Sequence, residues 1–238
     1  MKKQISALGA IAIPVAISVT GVLSVALLVM SLQNGTIPLW MISENKLLNL
    51  TYTMQLMALP ISLVAMTLIY FYKKENFKTF FRLGPADTSS AEENNWKFLG
   101  PLVAVAFTLG TMSYMSAGVI SKNGQVNASF YKLLPLVLLF AATNAWTEEI
   151  LTRFVIVSGL YGKLSKGTIC WISSIIFGLA HVFGTPNGVF GVIASGGLGW
   201  LLAKSVIETK GLGWALFIHF LQDVVIFGAG AMIVAGQP

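Results

Sequence analysis

The chain has 238 residues, of which 55% are hydrophobic and only 10% are charged. Soluble domains carry about 25% charged residues, so this composition excludes an ordinary water-soluble fold. The net charge of +6 comes from basic residues scattered in short segments between apolar runs. That pattern is typical of membrane protein loops and excludes a nucleic-acid-binding protein, which would need one basic patch.

The first half of the chain contains three apolar runs that are long enough for the roughly 20 residues of a membrane span, at about 7–32, 51–72 and 98–120. The first run exceeds the roughly 7–15 apolar residues of a signal peptide, so we predict a transmembrane helix there. Aromatic and basic residues at 76–83 predict a segment at the cytoplasmic membrane surface. The polar stretch 87–95 predicts a mobile loop.

The second half contains four further apolar runs, at about 130–160, 168–183, 187–206 and 211–235. The fold class is therefore all-α, a polytopic transmembrane bundle of about seven spans. The fifth and sixth spans are short, and a break between them at membrane depth must be buried in protein or line a wet cavity. Small residues at 195–199 favour close helix packing; the alternative is a narrow helix face that leaves space for an extended substrate.

The basic residues of the loops predict the orientation of the chain. With the N-terminus inside, 11 lysines and arginines lie on the cytoplasmic side and 3 on the other, and Lys2 and Lys3 belong to the first group. This excess follows the positive-inside rule, so the N-terminus is predicted to be cytoplasmic. We expect a multi-pass protein of the cell membrane, in a bacterium the plasma membrane.

Ionisable residues inside the apolar spans are expensive and mark functional sites. The fourth span carries Glu148, Glu149 and Arg153. Glu149 and Arg153 are four residues apart, so we expect them to form an ion pair on one helix face. Glu148 is rotated by about 100° from Glu149 and has no obvious local partner, as expected of a general base.

Both histidines of the chain lie in later spans, at His181 and His219. Asp223 follows His219 by four residues, so the two can share a hydrogen bond that fixes the histidine tautomer. Phe177 lies one turn before His181 and is expected to separate it from lipid. Together the carboxylates and histidines can activate a water and stabilise an oxyanion, or they can ligate a metal.

The motifs EEILTR at 148–153, FGLAH at 177–181 and HFLQD at 219–223 resemble those of the CPBP family of intramembrane endopeptidases. This family comprises CAAX proteases and bacteriocin-processing enzymes and is also called Abi. The resemblance covers about 130–230, so the chain divides into N-terminal helices with a cytoplasmic loop (1–129) and a CPBP-like core (130–238) within one integral membrane domain.

The resemblance implies roles for these residues. Glu148 and His181 would activate the attacking water, His219 and Asp223 would help to bind the oxyanion, and Glu149 and Arg153 would support them. Both a metalloprotease-like and a metal-independent mechanism have been described for the family. A zinc ion, if present, would be held by Glu148, His181 and His219. Asp223 stands where eukaryotic relatives have asparagine, and an ionised Asp cannot donate a hydrogen bond to an oxyanion.

The main hypothesis is thus a protease that hydrolyses a peptide bond of a membrane-associated peptide or lipidated protein. The substrate is either a prenylated CAAX protein or a bacterial peptide precursor, and the short chain favours the second. An alternative is a non-catalytic membrane binder, such as a bacteriocin immunity protein. A third is a small transporter with a carboxylate proton relay, but the internal repeats expected of one are not seen. Membrane lipid and the substrate are the expected partners. The sequence does not define a metal requirement or an oligomeric state.

Overall fold

The computed structural model describes residues 7–88 and 95–237. Within them the fold is all-helical, which confirms the predicted class. The predicted positive charges at Lys2 and Lys3 and most of the predicted mobile loop, 89–94, lie outside the described residues. The eight helices are α1 (Ala7–Gln33), α2 (Lys46–Tyr72), α3 (Lys74–Phe80), α4 (Trp96–Ser121), α5 (Ala128–Leu160), α6 (Lys166–Ala180), α7 (Gly188–Thr209) and α8 (Gly213–Ala235).

All seven predicted spans are helical, and six of the described helices are long and apolar enough to cross a membrane. Among the seven predicted spans, the one that does not reach this length is α6, whose 15 residues extend about 22 Å. This length is shorter than the roughly 30 Å hydrocarbon core of a bilayer. The helix ends at Ala180 instead of continuing to 183, and its last turn presents His181 at the C-terminal cap.

Polar side chains just outside the helices fix where several of them begin. The side chains of Asn45, Asn95 and Asn127 accept hydrogen bonds from the first backbone N–H groups of α2, α4 and α5. Ser165 does the same for α6 through Thr168 N–H. Such capping satisfies N–H groups that have no partner within the helix. This cap fixes where α6 begins. His181 lies at the other end of the same helix.

The main hydrophobic core draws on both halves of the chain. It includes Ile69 of α2, Val103 of α4, Phe154 of α5, Leu202 of α7 and Ile218 of α8. The C-terminal third of α5 lies at its centre, because every residue from 149 to 160 is buried. Lipid tails are as apolar as these side chains, so tight packing and interhelical hydrogen bonds hold such a bundle together. The helix that carries the glutamates is thus the most constrained of the fold.

The segment predicted at the membrane surface forms the short helix α3, which packs its aromatic side chains on the bundle. Phe80 is fully buried in the main core. The rings of Phe77 and Phe81 contact the ring of Phe154, with centroids 5.0 and 5.6 Å apart. Edge-to-face pairs of this kind add about 0.5–1.5 kcal/mol each beyond area burial. This end of α5 is therefore held by α3 as well as by the long helices.

Small residues allow α6 and α7 to approach closely, as the packing interpretation of 195–199 predicts. A Cβ on Gly178 would lie 2.7 Å from the carbonyl oxygen of Val192, and one on Gly199 would lie 3.0 Å from the Phe177 ring. The Ser174 hydroxyl also donates to the Gly196 carbonyl oxygen at 2.7 Å. These contacts fix the face of α6 that bears Phe177 and His181.

Candidate active site

The three motifs of the second half meet inside the bundle. Their contacts join Glu148 and Glu149 of α5, Phe177 of α6 and His219 of α8 into one cluster. At this point α5 contains a π-helical segment, Ile150–Phe154, in which Val155 N–H bonds to the Ile150 carbonyl oxygen. A π-helical turn shifts the side-chain register, and such turns are frequent at functional sites. Sequence periodicity did not predict this one.

Glu149 and Arg153 form the expected ion pair, with 3.3 Å between Oε1 and Nη1 and no exposure of either side chain. Glu149 also has a second partner, because the same Oε1 accepts a hydrogen bond from His219 Nδ1 at 2.7 Å. Arg153 Nη1 also donates to the Thr152 hydroxyl. The pair is therefore one end of a network that reaches α8, instead of a self-contained ion pair on one helix.

The predicted hydrogen bond between His219 and Asp223 is not formed. Their Nε2 and Oδ2 atoms are 3.7 Å apart, and Glu148 Oε2 lies 3.4 Å from the same Nε2. The spacing of four residues does place Asp223 beside His219, but Glu149 from another helix takes the short bond to Nδ1. Carboxylates surround both ring nitrogens, which favours a proton on each. Glu149 therefore makes the short hydrogen bond to His219 that the spacing predicts for Asp223.

Two amide side chains that sequence reasoning missed hold Asp223. Asn144 Nδ2 donates to Asp223 Oδ2 at 3.2 Å, and Gln55 Nε2 of α2 donates to Asn144 Oδ1 at 3.1 Å. Gln55 is buried in a membrane span. An uncharged amide in an apolar span is a signal of the same kind as an ionisable residue, and it could have indicated Gln55 and Asn144 from the sequence.

Phe177 lies between the charged groups instead of only covering one of them. Its ring is buried, 3.7 Å from the Arg153 guanidinium and 4.5 Å from the His181 ring. The His219 ring is 5.6 Å away. A guanidinium over an aromatic face is stabilised by the ring quadrupole. Phe177 thus separates His181 from the buried ion network while contacting both.

His181 is only partly buried, and its backbone contact defines its tautomer. Nδ1 lies 2.9 Å from the Phe177 carbonyl oxygen. A carbonyl oxygen only accepts, so Nδ1 carries the proton and Nε2 of the neutral ring presents a lone pair. Within residues 7–88 and 95–237, no hydrogen bond or ion pair joins His181 to Glu148. The two groups that the resemblance pairs for water activation are therefore not bonded directly to each other.

Several buried polar atoms of the site make no hydrogen bond within the described residues. They are Glu148 Oε2, Glu149 Oε2, and Arg153 Nε and Nη2. Buried polar groups that lack protein partners are ordinarily satisfied by ordered water. The Glu148 side chain is also 31% exposed, while Glu149 is completely enclosed. Water can therefore reach the Glu148 side chain, though not its Oε2, and cannot reach Glu149.

The predicted zinc ligands do not fit a metal as they are arranged. Within the described parts of the chain, no three His, Cys, Asp or Glu side chains lie in metal-ligating geometry. His219 Nδ1 is already bonded to Glu149, and the Phe177 ring contacts the rings of both His181 and His219. We therefore derive no chemical step through a metal ion.

An apolar cavity of about 600 Å³ lies beside the site, between α5, α8 and the segment that follows α3. Ala145 on its wall is one turn before the glutamates, and Leu216 is one turn before His219. The other lining residues are Leu83, Gly84, Pro85, Ala86, Ala142, Trp146, Gly213, Trp214, Phe217 and Phe220. The cavity is large enough for a long aliphatic group.

Comparisons with known proteins confirm the resemblance that the motifs predicted. The family model described as "Type II CAAX prenyl endopeptidase Rce1-like" matches residues 130–225. This segment contains all three motifs, together with Asn144, and leaves 1–129 outside the match. The comparisons with curated proteins and with solved structures gave no match. Residues 130–225 are therefore similar to the Rce1-like group of the CPBP family, which is described as type II CAAX prenyl endopeptidases.

Proposed function

We propose that the chain is an intramembrane endopeptidase in which Glu148 is the general base. The observation that carries this proposal is the contrast between two neighbouring carboxylates. Glu149 is completely buried and bonded to Arg153 and His219, whereas the Glu148 side chain is partly exposed. Its buried Oε2 lies 3.4 Å from His219 Nε2 and makes no hydrogen bond within the described residues. A general base must lie within hydrogen-bond reach of the water that it deprotonates, and water can reach Glu148 but not Glu149.

The reaction begins when a water bound between Glu148 and His181 attacks the carbonyl carbon of the scissile peptide bond. Glu148 takes one proton of this water, and the His181 Nε2 lone pair accepts a hydrogen bond from the other. The new C–O bond forms while the carbonyl π electrons move to oxygen, giving a tetrahedral oxyanion. His181 thus holds the water without changing its own protonation state, which agrees with the neutral tautomer fixed by the Phe177 carbonyl oxygen.

The oxyanion accepts a hydrogen bond from His219 Nε2–H. Glu149 holds this ring through Nδ1, so the opposite nitrogen is directed into the site. Fixed donors that need no reorganisation during the reaction are the most effective oxyanion stabilisers. When the intermediate collapses, the C–N bond breaks and Glu148 returns its proton to the leaving amine. Asp223 takes no proton and donates none; its charge stabilises the His219 donor from 3.7 Å.

The substrate is a membrane-associated peptide with a long apolar group near the scissile bond. The apolar cavity beside α5 and α8 can hold such a group one helical turn from Glu148 and His219. A prenylated CAAX-type protein and a hydrophobic bacterial peptide precursor both meet this description. The family match favours the prenylated substrate class. We place the enzyme in a cell membrane, which in a bacterium is the plasma membrane.

Cleavage of a synthetic peptide in vesicles tests the proposal. The full chain is reconstituted in phospholipid vesicles with a farnesylated CAAX peptide that carries a fluorophore and a quencher on either side of the bond after the cysteine. We expect cleavage by the wild type, and a loss of at least about 10²-fold in Glu148→Gln. Glu75→Gln, at an exposed position on α3, is the matched control. Full cleavage by Glu148→Gln would refute the mechanism.

The same experiment defines the substrate class. Cleavage of the farnesylated peptide but not of the same peptide without the lipid supports a prenylated substrate. Equal cleavage of both peptides supports an apolar peptide. A deletion strain that is complemented as well by the Glu148→Ala/His181→Ala double variant as by the wild type supports the non-catalytic binder instead.

A further inference from the structure

A chain of amide side chains connects the N-terminal helices to the site. Gln55 of α2 donates to Asn144 Oδ1 of α5, and Asn144 donates to Asp223 Oδ2 of α8. Gln55 and Asp223 are both buried. Asn144 lies one turn before Glu148 on the same helix. Gln55 and Asn144 lie outside the three motifs, and Gln55 comes from a helix outside the family match.

The direction of these hydrogen bonds follows from their end point. An ionised carboxylate only accepts hydrogen bonds, so Asn144 must turn its NH₂ group toward Asp223 and its oxygen toward Gln55. Gln55 must then present its own NH₂ group to Asn144. Each amide is thereby held in one of its two possible orientations. The whole chain of bonds agrees with a negatively charged Asp223.

We propose that Asn144, held in turn by Gln55, is a positioning residue that directs the Asp223 carboxylate at His219. Without this bond the side chain of Asp223 can rotate away from its position 3.7 Å from His219 Nε2. Glu148, already at 3.4 Å, would then be the one carboxylate left beside this nitrogen. The two amides therefore hold a second carboxylate beside the proposed oxyanion donor.

The charge environment of His219 makes this effect measurable. The titratable and charged groups around its ring from the packed helices are Glu148, Glu149, Arg153, His181 and Asp223. Removing Asn144 or Gln55 changes none of these charges. It changes only how firmly Asp223 is held, so any change at His219 reports on positioning.

Nitrogen NMR of the imidazole rings tests the proposal without a substrate. The full chain has only 2 histidines, so a protein labelled with ¹⁵N-histidine and carrying no histidine tag gives two sets of ring signals. His181→Gln assigns them. At one fixed neutral pH, we expect Asn144→Leu and Gln55→Leu to move the His219 signals toward those of a singly protonated ring. The His181 signals should keep their positions.

Gln222→Leu is the matched control for losing a buried amide. Gln222 is a neighbour of Asp223 on α8, is also buried, and bonds across to Thr108 and Thr111 of α4. We expect this variant to lower Tm and leave the His219 signals unchanged. Unchanged His219 signals in folded Asn144→Leu would overturn the proposal. If Asn144→Leu does not fold, Gln55→Leu, which removes the bond one step further out, decides the question in the same way.

An exchange of the two partners separates positioning from a purely structural bond. The double variant Asn144→Asp/Asp223→Asn restores one hydrogen bond in the opposite direction but presents an amide to His219. We expect Tm to recover relative to Asn144→Leu, while the His219 signals stay displaced. Recovery of both would mean that only the bond matters, and the positioning role would be wrong.

The catalytic consequence of this inference rests on the proposed protease function. With the farnesylated peptide in vesicles, we expect Asn144→Leu to lower kcat by about 10- to 100-fold with little change in KM, as for other residues that orient a reacting group. An unchanged kcat would refute the catalytic part. If the wild type cleaves no peptide, the protease assignment fails, and the NMR comparison still decides whether Asn144 positions Asp223.

Discussion

Two groups of ionisable residues meet at the site and differ in how they are held. Glu149, Arg153 and His219 are almost completely excluded from solvent and are bonded to one another. Glu148 and His181 are partly exposed. Within the described residues, neither Glu148 Oε2 nor His181 Nε2 has a hydrogen-bond partner. The comparison shows that adjacent residues of one motif can have different roles. A rotation of about 100° about the helix axis directs Glu149 into the buried ion network and Glu148 toward the partly exposed side of the site.

The largest effect is expected from Arg153→Met, which leaves the Glu149 charge buried without its cation. Breaking a buried ion pair on one side costs about 3–5 kcal/mol, because the remaining charge is uncompensated. We therefore expect a large loss of thermal stability in detergent, together with loss of cleavage. Lys132→Met, at an exposed position on the same helix α5, should change neither.

The double variant Glu149→Gln/Arg153→Met sharpens this test, because it removes both charges. We expect it to recover much of the stability that Arg153→Met loses, since a buried pair contributes little beyond the cost of burying its charges. Cleavage should not recover, because His219 no longer has the carboxylate that orients it. If the double variant is as unstable as the single one, the pair is not what holds this part of α5.

His181→Gln should lose cleavage but keep its thermal stability, unlike Arg153→Met, which should lose both. His181 is partly exposed, and within the described residues its side chain makes one hydrogen bond, to the Phe177 carbonyl oxygen on its own helix. We expect cleavage to fall by at least about 10²-fold with thermal stability close to the wild type. His219→Gln is the internal comparison and should lose both activity and stability. A His181→Gln protein as unstable as His219→Gln would contradict the division into two groups.

The sequence predicted the helices well because membrane spans are long apolar runs, and it predicted the Glu149–Arg153 pair because both residues lie on one helix. The spacing predicted a hydrogen bond from His219 to Asp223, but the short bond goes to Glu149. Asp223 is a neighbour on the same helix, but Glu149 approaches from α5, and helix-to-helix distances are not contained in residue spacing. The π-helical turn at Ile150–Phe154 and the packing of α3 also depend on tertiary contacts.

Phe177→Leu tests the contact between the two groups. The variant keeps an apolar side chain but removes the ring that lies 3.7 Å from the Arg153 guanidinium. A desolvated cation–π contact contributes about 2 kcal/mol, so we expect a moderate loss of stability, smaller than in Arg153→Met. Cleavage should also fall, because the ring positions the imidazole of His181 at 4.5 Å. Phe190→Leu, at an exposed ring on α7, is the control.

The smallest effect is expected from Thr111→Val, which removes an interhelical hydrogen bond far from the reactive pair. The Thr111 hydroxyl of α4 donates to Gln222 Oε1 of α8 at 2.7 Å, and Gln222 keeps its bond to Thr108. Interhelical hydrogen bonds in membrane proteins contribute about 0.6 kcal/mol on average. We expect a barely lowered Tm and unchanged cleavage of the farnesylated peptide. Strong loss of cleavage would show that α4 takes part in the site through Gln222, and that the framework extends beyond Glu149, Arg153 and His219.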